Sequence, residues 1–151
     1  MRTVLVLAVL AAAAVAASDA SPAAASTQAV QARPTLTVRS SQFGRILFDG
    51  RGRALYAFTR DPRRGRSTCY GACAAAWPVY YARDGLRAGA GVRQSLIGTT
   101  RRRDGRRQIT YAGRPLYYYV GDRRPGQVTC QNVLEFGGRW LVVRPSGRLV
   151  R

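Results

Sequence analysis

The sequence predicts an all-β protein in which two four-stranded repeats form a small sandwich or barrel, with at most short helical turns. Three observations lead to this fold class. One string of residue types occurs twice at a fixed spacing, the hydrophobic residues lie in short β-prone runs, and glycine-containing turns separate those runs. Packing two such units face to face, or closing them into a barrel, would bury their apolar faces.

The internal repeat has an offset of 61 residues. Residues 55–61 align with residues 116–122, and the alignment continues without a gap to Cys69 and Cys130. After a slip of two residues it also pairs the tryptophans, Trp77 and Trp140. Matches of this number in one register are not expected by chance, so they indicate two copies of one supersecondary unit.

The first repeat covers about residues 36–82 and contains four predicted strands. Its runs are rich in β-branched, aromatic and aliphatic residues, which are typical of strands. Asp49-Gly50 and Gly52 break the chain between the second and third runs, as a hairpin requires. The four predicted strands are residues 36–38, 45–48, 54–58 and 77–81.

The second repeat covers about residues 96–143 and copies this order. Turns are predicted at Asp104-Gly105 and at Ala112-Gly113. Its four strands are predicted at residues 97–100, 108–111, 115–120 and 140–143. Each repeat thus contributes a closing strand that begins with its tryptophan, and only residues 72–76 and 92–96 have the composition of a helical turn.

The first 34 residues predict export. Residues 1–17 combine one arginine with an apolar run, and small-residue sites follow, as in a signal peptide cut between about residues 17 and 25. The alternative is an uncut membrane anchor, but the run is too short to cross a bilayer as a helix. Residues 18–34 predict a disordered Ala/Ser/Thr linker, which leaves residues 35–151 as one β domain. No cysteine stands near the end of the apolar run, where a lipid would be attached, so we expect a secreted, extracytoplasmic protein that is not lipid-anchored.

The charge is strongly positive, at a formal +18 with only seven acids. Every one of the 25 basic residues is arginine, whose planar fork of donors suits phosphate and carboxylate. Selection for anion binding and the codon bias of a GC-rich genome both explain the arginine preference. Codon bias does not explain the shortage of acids.

A motif of the form Tyr-x-aromatic-x-x-Asp occurs once in each repeat, at residues 56–61 and 117–122. With the run Cys69 to Pro78 and residues 109–118, it resembles the secreted-repeat family with a Tyr-x4-Asp motif, also described as predicted lipoproteins of unknown function. The resemblance covers about residues 43–143 and implies an extracytoplasmic two-repeat module with no established activity. The chain departs from that family in lacking a lipidation cysteine and in carrying Cys130.

The motif residues predict a structural role. In a strand, Tyr56 and Phe58 share one face, and so do Tyr117 and Tyr119, which places both pairs in the core. Each motif Asp opens a turn, where it would accept backbone N–H groups and be kept ionised by neighbouring arginines. An aromatic-plus-acid ligand site is the alternative. The residues concerned are Tyr56, Phe58, Asp61, Trp77, Tyr117, Tyr119, Asp122 and Trp140.

Three cysteines in an exported chain predict one disulfide and leave one thiol over. By loop entropy alone, a Cys69–Cys73 bridge stabilises the fold by about 2 kcal/mol and a bridge to Cys130 by about 4 kcal/mol. The family resemblance implies the short pair, Cys69 with Cys73, because both cysteines belong to the first repeat there. Cys130 would then be a buried thiol or an intermolecular link.

The residue types do not favour an enzyme. Without histidine, no Cys-His pair forms, and arginine cannot accept the proton of a thiol. The acids are scattered, so we expect neither a metal site nor a cofactor. Paired-carboxylate hydrolysis by Asp61 and Asp122 remains an alternative, although neighbouring arginines disfavour a general acid.

The predicted function is association with an anionic polymer or surface. Five arginines flank the Asp104-Gly105 turn at one hairpin tip: Arg101, Arg102, Arg103, Arg106 and Arg107. Candidate partners are an envelope polyanion, a lipid headgroup or extracellular nucleic acid. The alternative is a structural or partner-docking envelope protein that uses its tyrosine-rich strand faces, and a thiol or redox protein is the third hypothesis.

Overall fold

A computed structural model describes residues 35–83 and 85–151. The predicted signal peptide, the linker and Asp84 lie outside these described residues. Eight strands and one α-helix are found in the described chain. They are β1 (Leu36–Ser41), β2 (Gly44–Asp49), β3 (Tyr56–Phe58), α1 (Ala72–Ala76), β4 (Ile97–Arg101), β5 (Arg107–Tyr111), β6 (Arg114–Pro115), β7 (Val133–Glu135) and β8 (Gly138–Val142). A single 3₁₀ turn, Gln94–Leu96, precedes β4. The all-β class is therefore confirmed.

The strands form three antiparallel sheets rather than two four-stranded units. β1 pairs with β2, the order of the second sheet is β3-β8-β7, and that of the third is β4-β5-β6. β5 turns into β6 through Ala112-Gly113, where both residues have positive φ, 50° and 74°. The predicted two-residue turn is thus present, with the left-handed backbone that such hairpin turns need.

The closing strands cross between the repeats, which local sequence patterns do not indicate. Tyr56 of the first repeat pairs with Val142 at the end of the second. The reverse crossing uses residues 78–81, whose Val79 and Tyr81 form bridges with Tyr117 and Gln108 of the second repeat. Each closing segment therefore lies beside the motif segment of the other repeat, and the sheet β3-β8-β7 contains strands from both repeats.

Side chains that alternate along the two motif segments lie in two different hydrophobic cores. Tyr56 and Phe58 lie in one core with both tryptophans, whereas Leu55 and Ala57 lie in the other. The second repeat follows the same rule, with Tyr117 in the first core and Leu116 in the second. Successive side chains of an extended chain point to opposite faces, so both motif segments are covered on both sides. The second is shorter than the predicted strand at residues 115–120, since β6 ends at Pro115 and only Tyr117 forms a further bridge.

Candidate functional site

The two motif tyrosines donate hydrogen bonds to the aspartates of the opposite repeats. Tyr117 Oη donates to Asp61 Oδ2 at 2.6 Å, and Tyr56 Oη donates to Asp122 Oδ2 at 2.6 Å. Both pairs are buried. The motif is therefore completed only when the two repeats come together.

The second oxygen of each aspartate closes a loop, as the turn hypothesis predicts. Asp61 Oδ1 accepts from the backbone N and the hydroxyl of Thr68, both at 2.7 Å. Asp122 Oδ1 accepts from the same two groups of Thr129, at 2.9 and 2.6 Å. These bonds hold residues 61–68 and 122–129 in equivalent loops.

Burial shifts the pKa values of this cluster upward. Desolvation raises the pKa of Asp61, and the hydrogen bonds and the charge of Arg102 oppose the rise without cancelling it. The charge of Arg102 thus acts in the direction expected of the neighbouring arginines, and desolvation acts against it. Burial likewise raises the pKa of both motif tyrosines, Tyr56 and Tyr117.

An aromatic stack lies between the two motif pairs. The indoles of Trp77 and Trp140 are parallel within 3°, with ring centroids 4.0 Å apart. Phe58 extends the stack over Trp140 at 4.2 Å, and Tyr119 packs against Trp77 at 4.8 Å with its ring tilted by 38°. The offset of 61 residues relates Phe58 to Tyr119, so an approximate two-fold axis passes between the indoles. The tyrosine-rich faces that were candidates for partner docking thus contribute to this core.

Arg102 breaks the symmetry on the Asp61 side. It is 4% exposed, and its guanidinium donates to Ser67 Oγ at 2.6 Å, Gln108 Oε1 at 2.9 Å and the Cys69 carbonyl at 2.7 Å. Val128 and Ile46 occupy the positions equivalent to Ser67 and Gln108 and are apolar. The repeat alignment gives the first equivalence. The second follows from the backbone: Leu55 N donates to the Leu47 carbonyl as Leu116 N donates to the Ile109 carbonyl, so the preceding residues, Ile46 and Gln108, also correspond. Arg102 was expected at an exposed hairpin tip, but it is buried, and its guanidinium is satisfied there by the three neutral acceptors.

The cysteines pair as the family resemblance implies. Cys69 and Cys73 form a disulfide across the start of α1, with their Cα atoms 5.3 Å apart. Cys130, the counterpart of Cys69 in the second repeat, is a buried free thiol. Burial raises its pKa, so the thiolate fraction is small at neutral pH.

The other four arginines of the β4–β5 tip are exposed. The guanidinium of Arg103 lies 4.5 Å from the centre of the Tyr70 ring, and that of Arg106 lies 3.3 Å from the centre of the Tyr81 ring. Asp104, the acid at the turn, accepts from the backbone N of Arg106 at 3.0 Å. Aromatic rings therefore restrict these cations without neutralising them.

A groove borders this tip. Its volume is about 360 Å³, and its walls come from residues 81–83 and 85–86 and from β4 and β5. The described residues that line it are Tyr81, Ala82, Arg83, Gly85, Leu86, Thr99, Arg106 and Arg107. No sequence motif predicted this groove, because its two walls come from separate segments of the chain that the fold brings together.

Charges of opposite sign are separated between the interior and the surface. Asp49, Asp61 and Asp122 are buried, and Tyr118 Oη donates to Asp49 at 3.0 Å. Glu135 accepts from Trp77 Nε1 at 2.8 Å. In contrast, all the described arginines are exposed except half-buried Arg53 and Arg114 and buried Arg102.

Residues 35–83 and 85–151 contain no group of three potential metal-ligating side chains. Within the same ranges, no helix has the length and hydropathy that a membrane crossing requires.

Comparison with protein families gives a match to both repeats. The model of the Lipoprotein_15 family, described as a secreted repeat of unknown function, matches residues 37–80 and 98–144. The two matched segments coincide with the two repeats and contain both Tyr–Asp pairs. Neither the curated proteins nor the solved structures gave a match. With more than half of its residues matched, and with one match for each repeat, the chain belongs to this secreted-repeat family.

Proposed function

We propose that the protein binds anionic polymers or surfaces of the cell envelope through its arginine-rich exterior. The observation that carries this proposal is the separation of charge. Three carboxylates are buried, and Glu135 is bonded to an indole, so few acids are left to offset the surface arginines. A field of one sign attracts polyanions and raises their association rate.

The β4–β5 tip is the proposed main contact. Arg101, Arg103, Arg106 and Arg107 are exposed within one turn. Beneath them, Arg102 donates to the Cys69 carbonyl, which attaches the tip to the disulfide loop. A held tip loses less conformational entropy on binding than a mobile one would.

The test measures binding of heparin and duplex DNA across a range of salt concentrations. Each phosphate that the protein neutralises on duplex DNA adds about 0.9 to the slope of log affinity against log salt. We expect the variant Arg101→Gln, Arg103→Gln, Arg106→Gln and Arg107→Gln to flatten the slope for DNA by about 2 to 3 units, which corresponds to about three fewer neutralised phosphates. Arg102 is kept, because replacing it would disturb the fold.

A matched control removes four exposed arginines elsewhere: Arg87→Gln, Arg93→Gln, Arg144→Gln and Arg148→Gln. This variant has the same net charge but should keep most of the slope. Equal flattening in both variants would show that the tip has no special role. Failure of the parent protein to bind either polymer at low salt would refute the proposed function.

A further inference from the structure

The groove beside the β4–β5 tip has a more specific construction than the rest of the basic surface. The described residues that line it include three arginines, Arg83, Arg106 and Arg107. Its volume, about 360 Å³, lies within the range of small-molecule sites, which begins at roughly 300 Å³. An inorganic anion would occupy only part of this space.

Two of the guanidinium groups are held in place. Arg107 Nε and Nη2 donate to Thr99 Oγ1 at 3.1 and 2.7 Å, which leaves Nη1 outside that pair of bonds. Arg106 lies over the Tyr81 ring at 3.3 Å from its centre. Stacking on a ring fixes the plane of a guanidinium while its N–H groups point outward from the edge.

The number of donors selects the kind of anion. A carboxylate has two oxygens and is satisfied by one arginine fork, whereas a terminal phosphate has three oxygens and a higher charge. Three arginines around one groove therefore match a phosphate better than a carboxylate. Leu86 and Ala82 add apolar wall that suits the carbon skeleton of a small polyol or sugar.

We propose that this groove binds a phosphorylated polyol or sugar unit, with Arg106 and Arg107 gripping the phosphate and Arg83 at the same wall. The proposal rests on the proposed function and names the chemical unit that the surface recognises. The three-oxygen phosphate of this unit is present in a free sugar phosphate and at a phosphorylated polymer end, whereas a phosphate within a polymer backbone has two free oxygens and one charge.

The test is calorimetric titration of the full mature chain with glycerol 3-phosphate, with glycerol and glycerate as probes that lack the phosphate. We expect glycerol 3-phosphate to bind, glycerol not to bind, and glycerate to bind at least several-fold more weakly. Arg106→Gln with Arg107→Gln should weaken binding about ten-fold or more, since hydrogen bonds to charged groups are among the strongest in proteins. Arg107→Lys keeps the charge but loses the fork, so binding should be weaker than in the parent.

The matched control is Arg144→Gln with Arg148→Gln, two exposed arginines outside the groove. Equal loss in both double variants, or equal binding of glycerate and glycerol 3-phosphate, would overturn the proposal. If heparin and DNA bind but glycerol 3-phosphate does not, the groove proposal fails and the proposed function stands. Competition by poly(glycerol phosphate) identifies the source: binding per phosphate as tight as that of the monomer or tighter indicates the polymer backbone, and weaker binding per phosphate indicates the free phosphate ester.

Discussion

The Asp61–Tyr117 and Asp122–Tyr56 pairs have equal bond lengths but unequal surroundings. Tyr117 Oη lies within hydrogen-bonding reach of Ser67 as well as Asp61. On the other side, apolar Val128 stands in place of Ser67. An amide at position 61 would therefore leave the Tyr117 hydroxyl an acceptor in Ser67, and so the fold should tolerate Asp61→Asn.

Asp61 should make stability depend on pH in an unusual direction. Its pKa is raised in the folded chain by burial, whereas in the unfolded chain the carboxyl loses its proton near pH 4. Above that pH the folded state binds more protons than the unfolded state, so the free energy of unfolding falls as pH rises through this window. Urea unfolding of the parent and of Asp61→Asn should show the variant gaining relative stability from about pH 3.5 towards neutrality. A constant difference at every pH would show that burial does not shift this group.

At the scale of elements, one buried side chain, Arg102, connects the β4–β5 hairpin to the loop that contains Ser67 and Cys69. Arg102 connects the hairpin to Ser67 and to the carbonyl of Cys69, and its guanidinium also lies 4.2 Å from the centre of the Tyr70 ring. Three acceptors would lose their donor if Arg102 were removed. Buried acceptors without a partner are costly, whereas exposed side chains contribute little.

Arg102→Gln should lower the free energy of unfolding by on the order of 3 kcal/mol, because shortening the side chain leaves buried acceptors unpaired. Arg103→Gln is the control next to it in sequence, and the exposed position should cost under about 0.5 kcal/mol. Urea denaturation followed by tryptophan fluorescence measures both. Equal midpoints for the two variants would mean that the buried network does not stabilise the hairpin.

Much of this architecture could be predicted from local patterns. The predicted runs at residues 45–48 and 97–100 correspond to β2 and β4, and the helical turn at residues 72–76 is α1. Long-range partners could not be predicted, because a period of two identifies a strand but not its neighbour. β7 was missed, since Val133–Glu135 is too short for a pattern. The inward position of Arg102 could not be predicted either, because the burial of its partner Gln108 is visible only in the structure.

At the scale of the whole molecule, the crossed strands and crossed Tyr–Asp bonds make the two repeats one folding unit. β3 needs β8 from the other repeat, and Tyr117 needs residues 78–81 beside it. The paired indoles of Trp77 and Trp140 come one from each repeat. A repeat in isolation would therefore expose half of the central core and lack a sheet partner.

Fragments 35–84 and 85–151 should each be unfolded alone and should fold when mixed. The physical reason is that each fragment carries the closing segment that the other one needs. Amide dispersion in NMR spectra and near-ultraviolet circular dichroism report folding, with the intact 35–151 domain as reference. A dispersed spectrum from either fragment alone would show that a single repeat is sufficient for a core.

The crossing of closing strands has a consequence for a protein that works outside the cell. If the two repeats were separate chains, the same interface would hold a dimer, and dilution after export would dissociate it by mass action. Joining them in one chain replaces the partner's bulk concentration by an effective concentration set by the short connection. The fold then survives unlimited dilution, and its integrity does not depend on how many molecules are secreted.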